Sequence, residues 1–287
     1  MTALQSIQRV GVTAKSNSRE AIRTARELVE WLRRRGLEVE ADAGVQRSAG
    51  EESQPAFLPA SSYDLVIALG GDGTLLSVAR GLRAGVPLLG VNLGNLGFLT
   101  EVSRDELYPS LVDVLAGRCT VEERAIFRAE LRRVAGATQT YNVFNDVVIA
   151  KSALSRIIEL TLSVDDQLVV TYRSDGLIVS TPTGSTAYNL SAGGPIVSPQ
   201  LPVAVLTPIC PHTFSLRPLV VPDTSVVEIT LETQREEVFL TLDGQEGTTL
   251  GYRDAVRVTR DERSVPLVRT QRHGFFDSLR GKLRWGS

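Results

Sequence analysis

The sequence predicts an α/β domain built on an open parallel sheet, followed by a β-sandwich-like domain. Strand-like and helix-like signals alternate through about residue 122, and strand-like runs then follow one another without helical spacers. The length of 287 residues is close to that of two common domains. We expect a first domain at residues 1–122, a second at residues 123–266, and a tail at residues 267–287 that packs back on the first domain.

In the first domain, continuous apolar runs predict strands buried on both faces, and apolar residues spaced three and four apart predict helices. The predicted strands are residues 9–13, 37–40, 65–69 and 87–91. The predicted helices run from a capping box at Asn17 and Glu20 to Gly36, over residues 75–83, and from a capping box at Ser103 and Glu106 to Gly117. The segment 44–62 is rich in Gly, Ser, Pro and Glu, which predicts a loop.

The second domain is rich in Val, Ile and Thr, with turn residues between the runs. The predicted strands are residues 128–133, 146–150, 157–164, 168–172, 176–181, 226–232, 238–242 and 255–259. The segment Gly184–Gly194 is the exception, a Gly/Ser-rich loop with a short helical turn. In the tail, Phe276, Leu279 and Leu283 share one helical face, which predicts a helix that packs on the first domain.

Composition excludes several classes of protein. The chain has 31 Lys and Arg against 33 Asp and Glu, and this net charge of −2 argues against a nucleic-acid binder. Two cysteines are too few for a disulfide framework or a Cys-rich zinc site. There is no signal peptide and no apolar run approaching about 20 residues, so we expect a soluble, cytoplasmic protein with no membrane partner.

The strongest local signal is the loop Gly70-Gly71-Asp72-Gly73-Thr74, between a predicted buried strand and a helix. Ligands bind at this position in open α/β sheets, glycines let the backbone approach phosphates, and a helix N-terminus favours anions. A carboxylate would repel a phosphate unless it binds a metal or accepts a proton, so Asp72 indicates a reaction. The alternative is a tight turn in which Asp72 caps the helix. The loop matches neither the P-loop nor the GxGxxG fingerprint.

Three other segments offer polar groups. A second glycine cluster, residues 90–99, follows the next predicted strand. Residues 174–194 combine hydroxyls and glycines suited to a polar ligand, although such runs are also found in plain loops. Asn145 and Asp146 precede a strand, where such a pair is more often a turn. The chain has no HExxH or GxSxG motif, which argues against a zinc peptidase or a serine hydrolase.

Together these segments resemble the NAD kinase family. The motifs GGDGT, NLGNLGFLT, Asn145-Asp146, SDGLIVSTPTGSTAYNLSAGGPI, CPHTFSLRP and LDGQ occur in that family's order over residues 64–250. GGDGT is shared with diacylglycerol kinases, sphingosine kinases and phosphofructokinases, whereas the long STPTGSTAY segment narrows the match. The resemblance implies transfer of the γ-phosphoryl group of ATP, or of polyphosphate in some members, to the 2′-hydroxyl of the adenosine ribose of NAD, giving NADP.

The resemblance also implies roles for individual residues. Asp72 corresponds to the catalytic aspartate, and Arg173 lies near the position of the new 2′-phosphate, which favours ATP over polyphosphate as donor. The residues that match phosphate-binding positions are Gly70, Gly71, Gly73 and Thr74. The residues that match NAD-binding positions are Gly73, Phe98, Asn145, Asp146, Asp175, Thr186, Ala187, Tyr188, Ser191 and Ile209. The family usually has Asn-Glu where this chain has Asn145-Asp146. We expect the shorter acid to affect the affinity for NAD more than the activity.

The family also implies Mg²⁺ with ATP, and a homodimer or homotetramer in which a neighbouring subunit completes each site. No protein side chain is singled out as a metal ligand. Two other functions stay open from the residues alone. A lipid kinase of the same superfamily would need an exposed apolar groove, and a non-catalytic NAD or NADP sensor would gain nothing from Asp72.

Overall fold

The computed structural model describes residues 6–46, 63–94, 97–100, 102–212, 215–270 and 274–284. The chain divides into two compact units. Unit 1 comprises Met1–Glu123 and Val265–Ser287, and unit 2 comprises Arg124–Ser264. Most of the predicted loop at 44–62 lies outside the described residues.

The strands are numbered in chain order. They are β1 Arg9–Ala14, β2 Glu38–Ala41, β3 Leu65–Gly70, β4 Leu88–Asn92, β5 Val102–Ser103, β6 Thr120–Arg132, β7 Thr138–Val143, β8 Asp146–Lys151, β9 Ile158–Val164, β10 Gln167–Ser174, β11 Gly176–Ser180, β12 Val203–Ile209, β13 Leu219–Pro222, β14 Val227–Leu231, β15 Val238–Leu242, β16 Glu246–Leu250 and β17 Ala255–Arg269. The helices are α1 Arg19–Arg33, α2 Ala43–Gln46, α3 Asp72–Gly81, α4 Leu107–Leu115, α5 Tyr188–Ser191 and α6 Phe275–Leu283, with a 3-10 turn at Thr183–Thr186.

Unit 1 contains the predicted open parallel sheet, in the order β2-β1-β3-β4. Every residue of β3 is buried, as its apolar run predicts for a strand covered on both faces. β5 pairs in parallel with β4, and the end of β17 pairs with β4 at Leu267 and Leu88. The carboxyl ends of β3 and β4 therefore lie side by side, which brings the two glycine clusters to one edge of the sheet.

The three predicted helix starts in unit 1 all differ from the structure. Ser18 rather than Asn17 caps α1, because its side chain accepts a hydrogen bond of 3.2 Å from the backbone N–H of Ala21. The predicted capping box at Ser103 does not form either. Ser103 belongs to β5 and its hydroxyl donates to the side chain of Glu106 at 2.7 Å, so α4 begins only at Leu107. The helix predicted from residue 75 begins three residues earlier, at Asp72.

Unit 2 is built from antiparallel strands. One sheet has the order β13-β12-β11-β8-β15-β16, and the other contains β10, β9, β14 and the first part of β17, with β6 and β7. Alternate residues of both sheets form one apolar core, among them Leu160, Leu162, Val179 and Leu240. The predicted sandwich is confirmed, although the sequence prediction missed β7, β12, β13 and β16.

The tail forms α6, in unit 1. Leu279 is buried, as predicted, whereas Phe276 is 67% exposed, so the predicted apolar face is only partly covered. Among the described residues, no helix is long and apolar enough to cross a membrane.

Candidate active site

Asp72 is the first residue of α3, and the residue that caps this helix is Gly71. The side chain of Asp72 does not cap the helix, so the capping alternative is wrong. Its Oδ2 accepts a hydrogen bond of 2.8 Å from the backbone N–H of Phe98. Its Oδ1 accepts from the backbone N–H of Leu99 at 3.2 Å and from both the N–H and the hydroxyl of Thr100, at 3.1 and 2.9 Å.

The second glycine cluster allows the backbone of residues 98–100 to bind the Asp72 carboxylate. A Cβ atom on Gly97 would lie 1.8 Å from Asp72 Oδ1, so only glycine lets the backbone after β4 approach the carboxylate this closely. Thr100 is itself oriented by Asn92, whose side-chain amide donates to the Thr100 hydroxyl at 2.8 Å. Residues 95 and 96 of this cluster lie outside the described residues.

The carboxylate of Asp72 keeps capacity for a further partner. Its Oδ2 accepts only the bond from Phe98 among the described residues. The candidate phosphate-binding residues Gly70, Gly71, Gly73 and Thr74 surround it at the end of β3 and the start of α3. An N-terminal helix end favours anions, so this loop combines an anion site with a hydrogen-bond acceptor.

In unit 2, Asp243 organises the turn that carries Asn145 and Asp146. Its buried carboxylate accepts hydrogen bonds from three consecutive backbone N–H groups: Phe144 at 3.0 Å, Asn145 at 2.6 Å and Asp146 at 3.1 Å. The N–H of Asp243 in turn donates to the carbonyl oxygen of Asp146 at 2.9 Å. The orientation of the Asn145-Asp146 turn therefore depends on Asp243.

Asp146 is 4% exposed, and its environment disfavours the charged form. Burial, together with the nearby carboxylate of Asp243, raises the pKa of Asp146 to about 7. A hydrogen bond from the backbone N–H of Tyr188 acts in the opposite direction, because it stabilises the carboxylate. Near neutral pH, Asp146 therefore exists in both protonation states.

These residues line a cavity of about 380 Å³ within unit 2. Its walls are Asn145, Asp146, Val148, Ala150, Ala187, Tyr188, Thr241, Asp243 and Gly244. The Oδ1 of Asn145 is buried and has no hydrogen-bond partner among the described residues, and the side chain of Tyr188 is 45% exposed. A polar ligand with hydroxyl donors fits this wall, because it would satisfy Asn145.

Several hydroxyls of the STPTGST segment form hydrogen bonds within the protein. Those of Thr181 and Ser185 are buried and donate to the carbonyl oxygens of Phe144 and Pro182, both at 2.7 Å. The hydroxyl of Thr186 donates to the carbonyl oxygen of Thr183 at 3.3 Å. These hydroxyls shape the loop, whereas Tyr188 and Ser191, both exposed, stay accessible on α5.

The remaining predicted NAD-binding residues of unit 2 lie on β10 to β12 and do not line the cavity. Arg173 is exposed and pairs with Glu159 at 3.4 Å. The carboxylate of Asp175 lies 3.7 Å from the ammonium of Lys151, and its N–H donates to the carbonyl oxygen of Ile209 at 2.9 Å. Ile209 is 9% exposed and packs in a small apolar cluster with Val148, which is also a wall of the cavity.

Sequence reasoning missed two buried polar residues that hold this loop. It gives Asp243 no role beyond a turn with Gly244 and its place in the LDGQ motif, and Asn189 none beyond its place in the long motif. The Asn189 side chain donates to the carbonyl oxygens of Ser185 and Pro195 at 3.1 and 3.0 Å, and accepts from the Thr207 hydroxyl at 2.6 Å. An Asp at the end of a strand, before Gly, is the signal that points to Asp243.

Comparison with known proteins covers most of the chain. The family model described as the ATP-NAD kinase N-terminal domain matches residues 10–119, and the one described as the ATP-NAD kinase C-terminal domain matches residues 144–270. The NAD kinase of Syntrophotalea carbinolica is 47% identical over 98% of this chain and 99% of its own length. The chain belongs to the NAD kinase family.

Further proteins are similar to the chain over most of its length. The NAD kinase of Solibacter usitatus is 46% identical over 98% of each chain. The structure of an NAD kinase from Archaeoglobus fulgidus in complex with ATP superposes with a TM-score of 0.74 at 27% identity, covering 96% of this chain and 99% of that one. The yeast NADH kinase complexed with NADH gives a TM-score of 0.88 at 24% identity, over 99% and 89% of the two chains, and shows the shared fold.

The predicted resemblance to NAD kinases is thus confirmed. Among the described residues, no group of three or more His, Cys, Asp or Glu side chains is arranged to hold a metal ion.

Proposed function

We propose that this chain transfers the γ-phosphoryl group of ATP to the 2′-hydroxyl of the adenosine ribose of NAD, giving NADP. The observation that carries the proposal is the position of Asp72 in a chain of this family. Its carboxylate stands at the N-terminus of α3, fixed by the backbone N–H groups of Phe98, Leu99 and Thr100. Full-length relatives that are 46% and 47% identical are NAD kinases.

Asp72 is the proposed general base. The 2′-oxygen forms a bond to the γ-phosphorus, the bond from that phosphorus to the β–γ bridging oxygen breaks, and the electron pair leaves with ADP. The proton of the 2′-hydroxyl moves to Asp72 Oδ2, which accepts only one hydrogen bond among the described residues. Phosphoryl transfer depends mostly on positioning and charge stabilisation, and a carboxylate held by four hydrogen bonds is well positioned.

The loop around Asp72 is the proposed phosphate site. Gly70, Gly71 and Gly73 let phosphate oxygens approach the backbone, and the N-terminus of α3 favours their charge. Mg²⁺ fits this site without a cluster of protein ligands, since the ion usually binds substrate phosphates, water and one or two carboxylates. Bound to the phosphates of ATP, it would neutralise charge on the transferred group. Thr74, the third residue of α3, is proposed to bind the same phosphates through its side-chain hydroxyl.

The cavity in unit 2 is the proposed site for NAD. Asn145 offers an unpartnered buried oxygen, and Asp146 offers a carboxyl group that both accepts and donates near neutral pH. Ribose hydroxyls carry the complementary donors and acceptors. Tyr188, the first residue of α5, presents an exposed ring. The other proposed contacts are near it in sequence: Thr186 ends the 3-10 turn, Ala187 caps α5, and Ser191 is the last residue of α5. Phe98, next to Asp72, is the proposed contact for adenine.

Asp175 and Ile209 are proposed to complete the NAD site of a neighbouring subunit in a homodimer or homotetramer, and Arg173 is proposed to lie near the new 2′-phosphate. The support is that Arg173 and Asp175 are accessible, with side-chain exposures of 69% and 38%, and lie outside the cavity of their own chain. A guanidinium suits the new 2′-phosphate.

The test is formation of NADP from NAD, ATP and Mg²⁺, followed with a dehydrogenase specific for NADP. We expect NADP only when all three are present. Absence of NADP at high enzyme concentration, with phosphate transferred to diacylglycerol or a sphingoid base instead, would overturn the proposal. Parallel reactions with polyphosphate and with NADH define the donor and the acceptor.

A further inference from the structure

Helix α6 carries a cation to the ring of Phe98, the residue whose backbone binds Asp72. The helix is anchored in unit 1 by the buried side chain of Leu279, and its first turn is closed by Asp277, whose carboxylate accepts from the N–H of Gly274 at 2.8 Å. Near its end, the ammonium of Lys282 lies 5.9 Å from the centre of the Phe98 ring. That distance is within the range of a cation–π contact.

Phe98 connects this cation to the candidate site. The backbone N–H of Phe98 donates to Asp72 Oδ2 at 2.8 Å, so the residue whose ring faces Lys282 also holds the carboxylate. Lys282, Phe98 and the glycine loop all belong to unit 1. The Lys282 side chain has a flexible four-carbon stem, so its ammonium can shift by a few ångströms from the position it has at the ring.

Among the described residues, Lys282 forms no ion pair with a carboxylate. Arg280, two residues earlier on the same helix, pairs with the carboxylate of Asp277. Lys282 is exposed, and in the part of the chain that the structure describes it contacts the Phe98 ring rather than a carboxylate. An ammonium with three donors and no carboxylate partner among the described residues has unused capacity to bind an anion. It contacts the ring of Phe98, whose backbone N–H binds Asp72.

We propose that Lys282 binds the phosphate chain of the donor nucleotide at the Asp72 loop. This inference rests on the proposed function. The loop alone presents a conflict, because the N-terminus of α3 attracts phosphate while the Asp72 carboxylate repels it. Lys282 resolves the conflict by supplying a positive charge on the side of Phe98, and it transfers no proton during the reaction.

The experiment compares Lys282→Met with Lys282→Arg and with Arg280→Met. Arg280→Met is the matched control, since it removes a cation of the same helix that already pairs with Asp277. Two quantities are measured for each protein: the steady-state constants for ATP and NAD, and the equilibrium binding of ATP without NAD by calorimetry, at low and high salt.

For Lys282→Met we expect KM and Kd for ATP to rise by roughly 10- to 100-fold, as for the loss of one hydrogen bond to a charged group. KM for NAD changes by less than about threefold, and the salt dependence of ATP binding becomes weaker because one ionic contact is gone. Lys282→Arg recovers most of the affinity, and Arg280→Met matches the unmodified protein.

Equal ATP binding by Lys282→Met and the unmodified protein would overturn the inference. A rise in KM for NAD without a change for ATP would also overturn it, because the phosphates contacted would then belong to NAD. If the unmodified protein forms no NADP, the proposed function has failed instead, and ATP binding still decides the role of Lys282.

Discussion

The carboxylate of Asp243 accepts a hydrogen bond of 3.1 Å from the backbone N–H of Asp146, and the same two residues face each other as buried acids. One residue thus has two effects on its neighbour. It fixes the backbone of Asp146, and its negative charge opposes ionisation of the Asp146 side chain.

The stability of the protein should depend on pH through Asp146. Its pKa is about 7 in the folded protein and near 3.8 in an unfolded chain. Between these values the folded state holds a proton that the unfolded state has released, so the free energy of unfolding falls as pH rises from about 4 to 7. Relative to Asp146→Asn, the unmodified protein should lose on the order of 4 kcal/mol over this range. Urea unfolding of both proteins at pH 4 and pH 8 measures this loss, and a difference in stability between them that does not change with pH would contradict the assignment.

Replacing Asp243 by Asn should weaken NAD binding more than turnover. The amide keeps one acceptor oxygen but places an NH₂ group against the N–H of Phe144, which costs roughly 1–3 kcal/mol of stability. The Asn145-Asp146 turn then loses its fixed orientation, so KM for NAD rises while kcat changes less. Asp223→Asn is the control, a buried acid of unit 2 that pairs with Arg260. Equal effects of the two variants on KM would show that Asp243 acts only through stability.

Asp72→Asn should lower kcat by about 10²- to 10⁴-fold, the usual contribution of a general base. Asparagine has the same shape and retains an acceptor oxygen, but it cannot take the proton of the 2′-hydroxyl. NAD binding measured by calorimetry should stay within a few-fold. Asp105→Asn removes an exposed carboxylate of unit 1 and should leave kcat unchanged. Turnover by Asp72→Asn within a few-fold of the unmodified enzyme would exclude this residue as the base.

Gly184→Ala should disrupt the NAD site. A Cβ at Gly184 would lie 2.1 Å from the carbonyl oxygen of Asn145, so the loop and the Asn145 turn must separate. We expect a loss of about 1–3 kcal/mol in the free energy of unfolding, typical of overpacking, and a higher KM for NAD. Gly281→Ala is the control, since a Cβ at this position of α6 would have no atom within 4 Å. If both variants bind NAD equally, the close approach has no role in the site.

Local patterns in the sequence were sufficient for the parallel sheet and for the position of Asp72. The apolar run of β3 and the glycines after it define a strand, a turn and a helix within ten residues. The same approach failed for β12, because Pro208 within Val203–Ile209 disfavours a strand, although that strand lies between two others in its sheet.

Long-range hydrogen bonds could not be predicted. Asp243 holds Phe144 and its two successors across 97 to 99 positions of sequence, and Asp72 holds Phe98 across 26. The choice of Ser18 over Asn17 as helix cap also depends on the local backbone path, since both residues are good caps. Residue type suggested candidate side chains, and the fold determined which of them contact each other.

Unit 1 is completed by residues that come after unit 2 in the chain, Val265–Ser287. During synthesis, the strand end at Leu267 and the helix that carries Lys282 emerge only after Arg124–Ser264 has been made. Nascent chains therefore hold the Asp72 loop for most of their elongation without the helix whose Lys282 contacts the Phe98 ring. The order of translation thus places the completion of unit 1 after the synthesis of unit 2.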